Sequence, residues 1–224
     1  MRSRTVALLA CLAAFGPVPA RGDGPAEAVA RPLFDGKSLD GWKATDFFKA
    51  GRVAVEDGAI VLAAGEGALT GITSARADLP RVDYELTYEA KRTAGDDFFA
   101  AATFPISDSY LTFVNGGWGG SVTGLSCLNG ADASENATNH FVKYRNDTWH
   151  RFRIRVTAKA IRCRVDDTEV VALDHRDLQL RTRIETRANQ PLGFAAWRSS
   201  SAIRAIAVRP LTPAEVAATE VVEP

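Results

Sequence analysis

Histidine and cysteine are scarce in this chain, three of each among 224 residues, and His140, His150 and His175 form no H-x-x-x-H pair. A zinc centre built on such a pair is therefore excluded. Charge of one sign is also lacking: 27 basic residues stand against 27 acidic ones, so nothing directs the chain to nucleic acid. There is no G-x-S-x-G motif, no phosphate-binding glycine loop, no internal repeat and no low-complexity tract. Long apolar runs are missing too. The ten-residue run 6–15 follows Arg2 and Arg4 and gives way to the small residues Val18 and Ala20. That is the layout of a secretory signal peptide, about half of the ~20 residues that span a bilayer. Residues 1–20 are thus expected to be a cleaved signal, placing the protein in a secreted or periplasmic setting with no transmembrane segment after cleavage. The alternative is a lipoprotein anchor at Cys11, with only ten residues before it.

Removal of 20 of the 224 residues leaves 204, the length of one substantial domain. The loss of Arg2 and Arg4 leaves 25 basic against 27 acidic residues. Residues 21–31, RGDGPAEAVAR, read as a linker, residues 32–211 as the domain and residues 212–224 as a tail with one helical turn. Cys127 and Cys163 survive cleavage, and export leaves a disulfide open to them. A buried free thiol is equally ordinary, since Cys163 alternates with Ile161 and Val165 on an apolar face.

What is present is strand after short strand. VAVE, Asp57-Gly58 and AIVL read as a tight hairpin, because Asp-Gly suits the type I′ turn that matches strand twist. Val82, Tyr84, Leu86 and Tyr88 alternate with acidic or polar residues, and Phe152, Ile154 and Val156 alternate with Arg151, Arg153 and Arg155. Each such strand has an apolar and a charged face. FFAAATFPI, residues 98–106, is apolar throughout, as a strand covered on both faces would be, and Pro105 is expected to end its pairing. The last strand is expected beside the first. The fold class is all-β, with almost no apolar spacing of helical period.

Residues 95–145 crowd aromatic, amide and carboxylate side chains among glycines. A pyranose offers an apolar face to an aromatic ring and a rim of hydroxyls to Asp, Asn and Arg, so this mixture suits a carbohydrate ligand. The candidate binding residues are Trp118 and Asn115 in NGGWGG, Glu135 and Asn136 in DASENATN, and Arg145. Trp118 could equally cap the core. The DASENATN loop lacks the spacing and glycine of an EF-hand, leaving a generic cation site or a self-bonded turn. Asp97, Glu85 and His140 are the candidates for proton transfer at a glycosidic bond.

LFDGKSLDGW at residues 33–42, VEDGAI from Val55 and VDYELTYEAKR at residues 82–92 resemble the opening of the bacterial 3-keto-disaccharide hydrolase domain family. TWHRFRIRV, VDDTEVV and AIRAIAVRPL extend the resemblance through residues 148–211. It implies a concanavalin-like jelly-roll β-sandwich of two antiparallel sheets. It also implies a hydrolase or lyase of glycosides oxidised at the sugar 3-position, where the ketone acidifies the neighbouring carbon; for some members it implies a divalent metal ion. The family's N-S-G-hydrophobic-F-F-R-like block corresponds here to GDDFFA, residues 95–100, without the arginine, so Glu85 and Asp97 carry over by position alone. The alternatives are a non-catalytic glycan-binding or cell-envelope module, and a purely structural envelope protein.

Overall fold

Alternation of apolar and polar residues gives each strand an inner and an outer face, and two sheets close their inner faces on one another. The computed structural model describes residues 28–220, so the stretch read as a signal peptide lies outside the described residues. The strands are β1 (Arg31–Pro32), β2 (Trp42–Ala44), β3 (Val53–Glu56), β4 (Ala59–Leu62), β5 (Leu69–Ser74), β6 (Tyr84–Ala94), β7 (Ala101–Ile106) and β8 (Ser109–Gly116). They continue as β9 (Val122–Ser126), β10 (His140–Phe141), β11 (His150–Val156), β12 (Ala160–Val165), β13 (Thr168–Asp174), β14 (Gly193–Trp197) and β15 (Ser200–Pro210). One sheet runs β13-β12-β11-β6-β15-β4-β3, with β1 added beside β15; the other runs β10-β9-β8-β7-β14-β5-β2. All pairings between these strands are antiparallel, and the last strand does lie beside the first. This is the two-sheet jelly-roll architecture expected from the sequence.

The core is aromatic. Tyr88 stacks on Phe152 at 4.8 Å within the first sheet and meets the edge of Phe194 from the second at 4.8 Å. Tyr84, Leu86, Ile154, Val156, Ile161, Cys163 and Val165 join them, the inward sets read from β6, β11 and β12. Trp42 is buried and donates its indole N–H to the Leu33 carbonyl at 2.8 Å, anchoring the first edge. Asp57 and Gly58 take φ of 48° and 76°, the paired positive values of a type I′ turn.

Pro105 does not end its strand. It pairs in register with Tyr110, and β7 runs on to Ile106. The reason is positional: β14 accompanies β7 only from Ala101 to Thr103, so the N–H that proline lacks falls where no neighbour needs it. β15 carries a bulge. Arg204 faces Glu89 and Ala207 faces Thr87, so Ala205 and Ile206 together oppose Tyr88, with Ala205 at φ 51°.

Helical backbone is sparse among the described residues: a four-residue turn, Gly117–Gly120, that contains left-handed backbone, a 3-10 segment, Ile184–Asn189, and an eight-residue helix, Pro213–Glu220. Thr212 caps that helix through a reciprocal pair. Its hydroxyl accepts the Glu215 N–H at 3.3 Å and its own N–H donates to Glu215 at 2.9 Å. Glu215 also binds Arg209 at 2.6 Å, Arg162 donates to the Thr219 carbonyl at 3.0 Å, and Lys159 meets Glu220 at 2.7 Å. The segment read as a tail is therefore fastened onto the arginine-lined outer face of the first sheet. No helix among the described residues is long and apolar enough to cross a membrane.

Cys127 and Cys163 are free and buried, without a disulfide. Burial pushes both thiols above the usual range, Cys163 strongly so.

Candidate functional site

Because Ala102, Phe104, Leu111, Phe113, Leu125 and Ala196 point into the core, the alternate residues Ala101, Thr112, Val114, Ser126 and Trp197 face outward from the second sheet. These five form the floor of a cavity of about 240 Å³. Its walls are Asp97, Phe98 and Trp118 on one side, and Arg183, Glu185 and Thr186 from the 3-10 segment and its cap.

Trp118 is presented by a turn that glycine makes possible. Between β8 and β9 the backbone takes positive φ at Gly116, Trp118, Gly119 and Gly120, with Trp118 itself at φ 50°, ψ 52°. A Cβ on Gly120 would stand 2.7 Å from the Asp96 carbonyl oxygen, so only glycine fits there. The indole is 44% exposed. Asp97 holds this turn, one carboxylate oxygen accepting the Gly119 N–H at 3.1 Å and the other the Phe98 N–H at 2.7 Å. The Asp97 backbone is fixed in turn: Ser199 accepts its N–H at 3.1 Å and Arg92 donates to its carbonyl at 3.2 Å. Phe98 and Trp197 lie 6.2 Å apart, and the Trp197 N–H donates to the Phe98 carbonyl at 2.9 Å. Three aromatic residues thus line the same cavity as a positioned carboxylate.

The opposite wall is an ion cluster. Arg183 binds Glu185 at 3.0 Å and is also bonded to Asp132. The hydrogen bond from Arg183 holds the Glu185 carboxyl below its usual range, and the same bond raises the guanidinium. Asp132 accepts from Ser126 and Cys127, each at 3.2 Å, which ties the cluster to the end of β9. The 3-10 segment is seated by buried hydroxyls, Thr103 to Thr112 at 3.0 Å and Thr112 to Thr186 at 3.3 Å.

Of the residues singled out from sequence, Asp97 and Trp118 meet at this cavity and the others do not. Glu85 lies on β6 of the other sheet, buried between Arg155 at 2.6 Å, Arg209 at 2.9 Å and Arg153 at 3.5 Å. It neutralises arginines and cannot reach a sugar at the cavity. Asn115 points into the core, donating to the Ala100 carbonyl at 2.8 Å and to the Tyr88 hydroxyl at 3.2 Å. Asn136 is spent on its own loop, donating to the Leu125 and Asp132 carbonyls at 2.7 and 2.8 Å. Glu135 and Arg145 are exposed away from the cavity lining, and His140 is exposed on the edge strand β10 opposite Thr123. Sequence reasoning passed over Arg183, Glu185 and Thr186, which sit in RTRIETRANQ, a stretch with no strand period and no motif.

A divalent metal does not fit the cavity residues among those described. No group of three or more His, Cys, Asp or Glu among the described residues is arranged to hold an ion. At the cavity, Asp132 and Glu185 already serve Arg183.

A model of the family described as 3-keto-alpha-glucoside-1,2-lyase-like domain matches residues 29–209. No curated protein matches the chain. Among solved structures, the apo Crh5 transglycosylase is similar at TM-score 0.57 and 16% identity, over 84% of this chain and 85% of that one. The Crh5 transglycosylase in complex with NAG gives TM-score 0.57 and 16% identity over 82% and 84%. The carbohydrate-binding module CBM66 from Bacillus subtilis gives TM-score 0.51 and 12% identity over 75% and 95%. At these identities the likeness is one of fold.

Proposed function

Because the chain belongs to the 3-keto-alpha-glucoside-1,2-lyase-like domain family, we propose that it cleaves 3-keto-glycosides by elimination at the cavity between Asp97 and Arg183. The observation that carries this reading is that one cavity brings together a positioned carboxylate, a guanidinium and three aromatic rings. The sugar ring stacks its C–H face on Trp118, Phe98 or Trp197. Arg183, with N–H groups beyond those given to Asp132 and Glu185, stabilises the negative charge that gathers on the C3 oxygen. Asp97 takes the C2 proton as general base. The C2 electron pair forms the C1–C2 double bond, the C1–O bond breaks, and the departing oxygen takes a proton from water, to which Asp97 returns the C2 proton. The products are an unsaturated keto sugar and the free alcohol, with no oxidant consumed. Glu185 is the weaker candidate for the base, since both its carboxylate oxygens are bonded to the Arg183 guanidinium. The signal-like residues 1–20 support a secreted or periplasmic setting for this activity.

A second reading is a glycan-binding module without catalysis. It is favoured by the double use of the carboxylates: both Asp97 oxygens already accept backbone N–H groups, and Glu185 is tied to Arg183. The CBM66 fold likeness and the NAG complex of Crh5 are compatible with either reading. Incubating the purified protein with 3-keto-glycosides and with their unoxidised counterparts, and following ultraviolet absorbance of the conjugated product, separates them. Turnover of the 3-keto compounds alone supports elimination. Binding of either class without any bond cleavage overturns it in favour of the module.

A further inference from the structure

A second cavity, of about 370 Å³, opens at the end of the same sheet, and its lining differs in kind from the first. Arg76, Arg81, Tyr110 and Gln190 supply its polar groups, Leu79 and Pro105 belong to its apolar surface, and no acidic side chain lines it. Arg81 is locked in place. It donates to the Ser107 carbonyl, to the Ser109 carbonyl at 2.9 Å and to the Tyr110 hydroxyl at 3.2 Å, and its guanidinium lies 4.8 Å from the Tyr110 ring centre. Arg76 is the opposite case: its Nε is buried and has no hydrogen-bond partner. The neighbouring carboxylate, Asp78, is bonded to Arg31 instead.

The terminal N–H groups of Arg76, unlike its buried Nε, are accessible and meet no hydrogen-bond acceptor among the described residues, so an incoming acceptor would gain a charge-assisted bond there. A guanidinium with no ion-pair partner, beside a second one held only by neutral acceptors, favours a planar or tetrahedral oxyanion, which the arginine fork matches geometrically. Beside that charge, the Tyr110 ring, Leu79 and Pro105 offer an apolar surface for ring C–H groups, and the Gln190 amide offers a hydroxyl partner. The volume falls within the range of small-molecule sites, roughly 300–1,000 Å³. We propose that this cavity is a second site, separate from the aromatic one, that binds a sugar bearing an oxyanion, either the carboxylate of a hexuronate or a sulfate ester. The site stands on its own residues and does not rest on elimination at the other cavity.

The test is calorimetric titration of the full chain with glucuronate, glucose 6-sulfate, glucose and inorganic sulfate. The expected result is binding of a charged sugar at least tenfold tighter than glucose, weakening as salt is raised. Whichever of glucuronate and glucose 6-sulfate binds more tightly identifies the oxyanion. Arg76→Gln should weaken that binding at least tenfold and Arg76→Lys less, while both leave turnover of 3-keto-glycosides unchanged. Thermal unfolding checks that each variant is folded, and Arg76→Lys carries the test if Arg76→Gln is not. Three outcomes overturn the proposal: glucose binding as tightly as the charged sugars, inorganic sulfate binding as tightly as either sugar, which would mean an adventitious ion only, or unchanged affinity in a folded Arg76 variant.

Discussion

Asp97 and Gly119 are joined by a 3.1 Å hydrogen bond from the Gly119 N–H to the Asp97 carboxylate, so the group proposed to act on substrate also holds the turn that presents Trp118. The two duties separate by mutation. Asp97→Asn keeps one of the two acceptors that serve Phe98 and Gly119 but removes the base, so turnover should fall about 10²–10⁴-fold while stability falls by only about 1 kcal/mol. Asp97→Ala removes both and should also lose about 1–3 kcal/mol, the cost of unmet donors. Steady-state kinetics beside urea unfolding checks this. Full turnover in a folded Asp97→Asn variant would remove Asp97 from the chemistry.

Trp118 is half exposed and sits in left-handed backbone, so it is poorly placed to support the core. Trp118→Ala should change stability by less than about 1 kcal/mol, against the ~3–5 kcal/mol of a buried aromatic. Ligand binding should weaken by roughly 1–3 kcal/mol, by analogy with the stacking of bases on aromatic rings. A large loss of stability with intact affinity would assign the ring to packing.

Glu85, buried among three arginines, should behave in the reverse manner. Glu85→Ala leaves their charge uncompensated and should cost on the order of 3 kcal/mol in denaturant unfolding. Activity per folded molecule should stay the same, and its loss would return Glu85 to the catalytic set.

Glu215 links stability to pH. The Arg209 hydrogen bond holds its carboxyl at about 2 in the folded protein, below its ordinary 4.5. A depressed folded value gives stability that is complete above pH 4.5 and is lost as the pH falls towards 2. Urea midpoints measured from pH 7 to pH 2.5 should drop over that window, and Glu215→Gln should flatten part of the drop. An identical profile in the variant would mean that the helix contact contributes nothing to acid stability.

The sandwich was legible because period-two alternation survives in β6, β11 and β12, and because Asp57-Gly58 can hardly be read otherwise. The site was legible only where a residue is conspicuous locally. Trp118 among glycines is such a residue, and so is Asp97 beside an apolar strand. Asn115 looked similar, yet it shares parity with Leu111 and Phe113, and that parity already directs it inward. Arg183 and Glu185 gave no comparable signal. Their place at the cavity depends on hydroxyl contacts from the 3-10 segment to strands some seventy or more residues away in the chain, which no local pattern encodes. Asp132 looked like part of a self-contained loop for the same reason: its partner, Arg183, lies 51 residues on.

The bulge in β15 separates two quantities that a strand normally couples, its length and its inside–outside phase. Ile203, Ile206 and Val208 all face the core and Arg204 and Arg209 both face the glutamates of β6, although one surplus residue lies among them. Without Ala205 the count would alternate without interruption and every one of these side chains would keep its face. The longest stretch of pairing in the first sheet therefore tolerates a change of one residue at this point, where elsewhere in β15 the same change would turn arginines into the core.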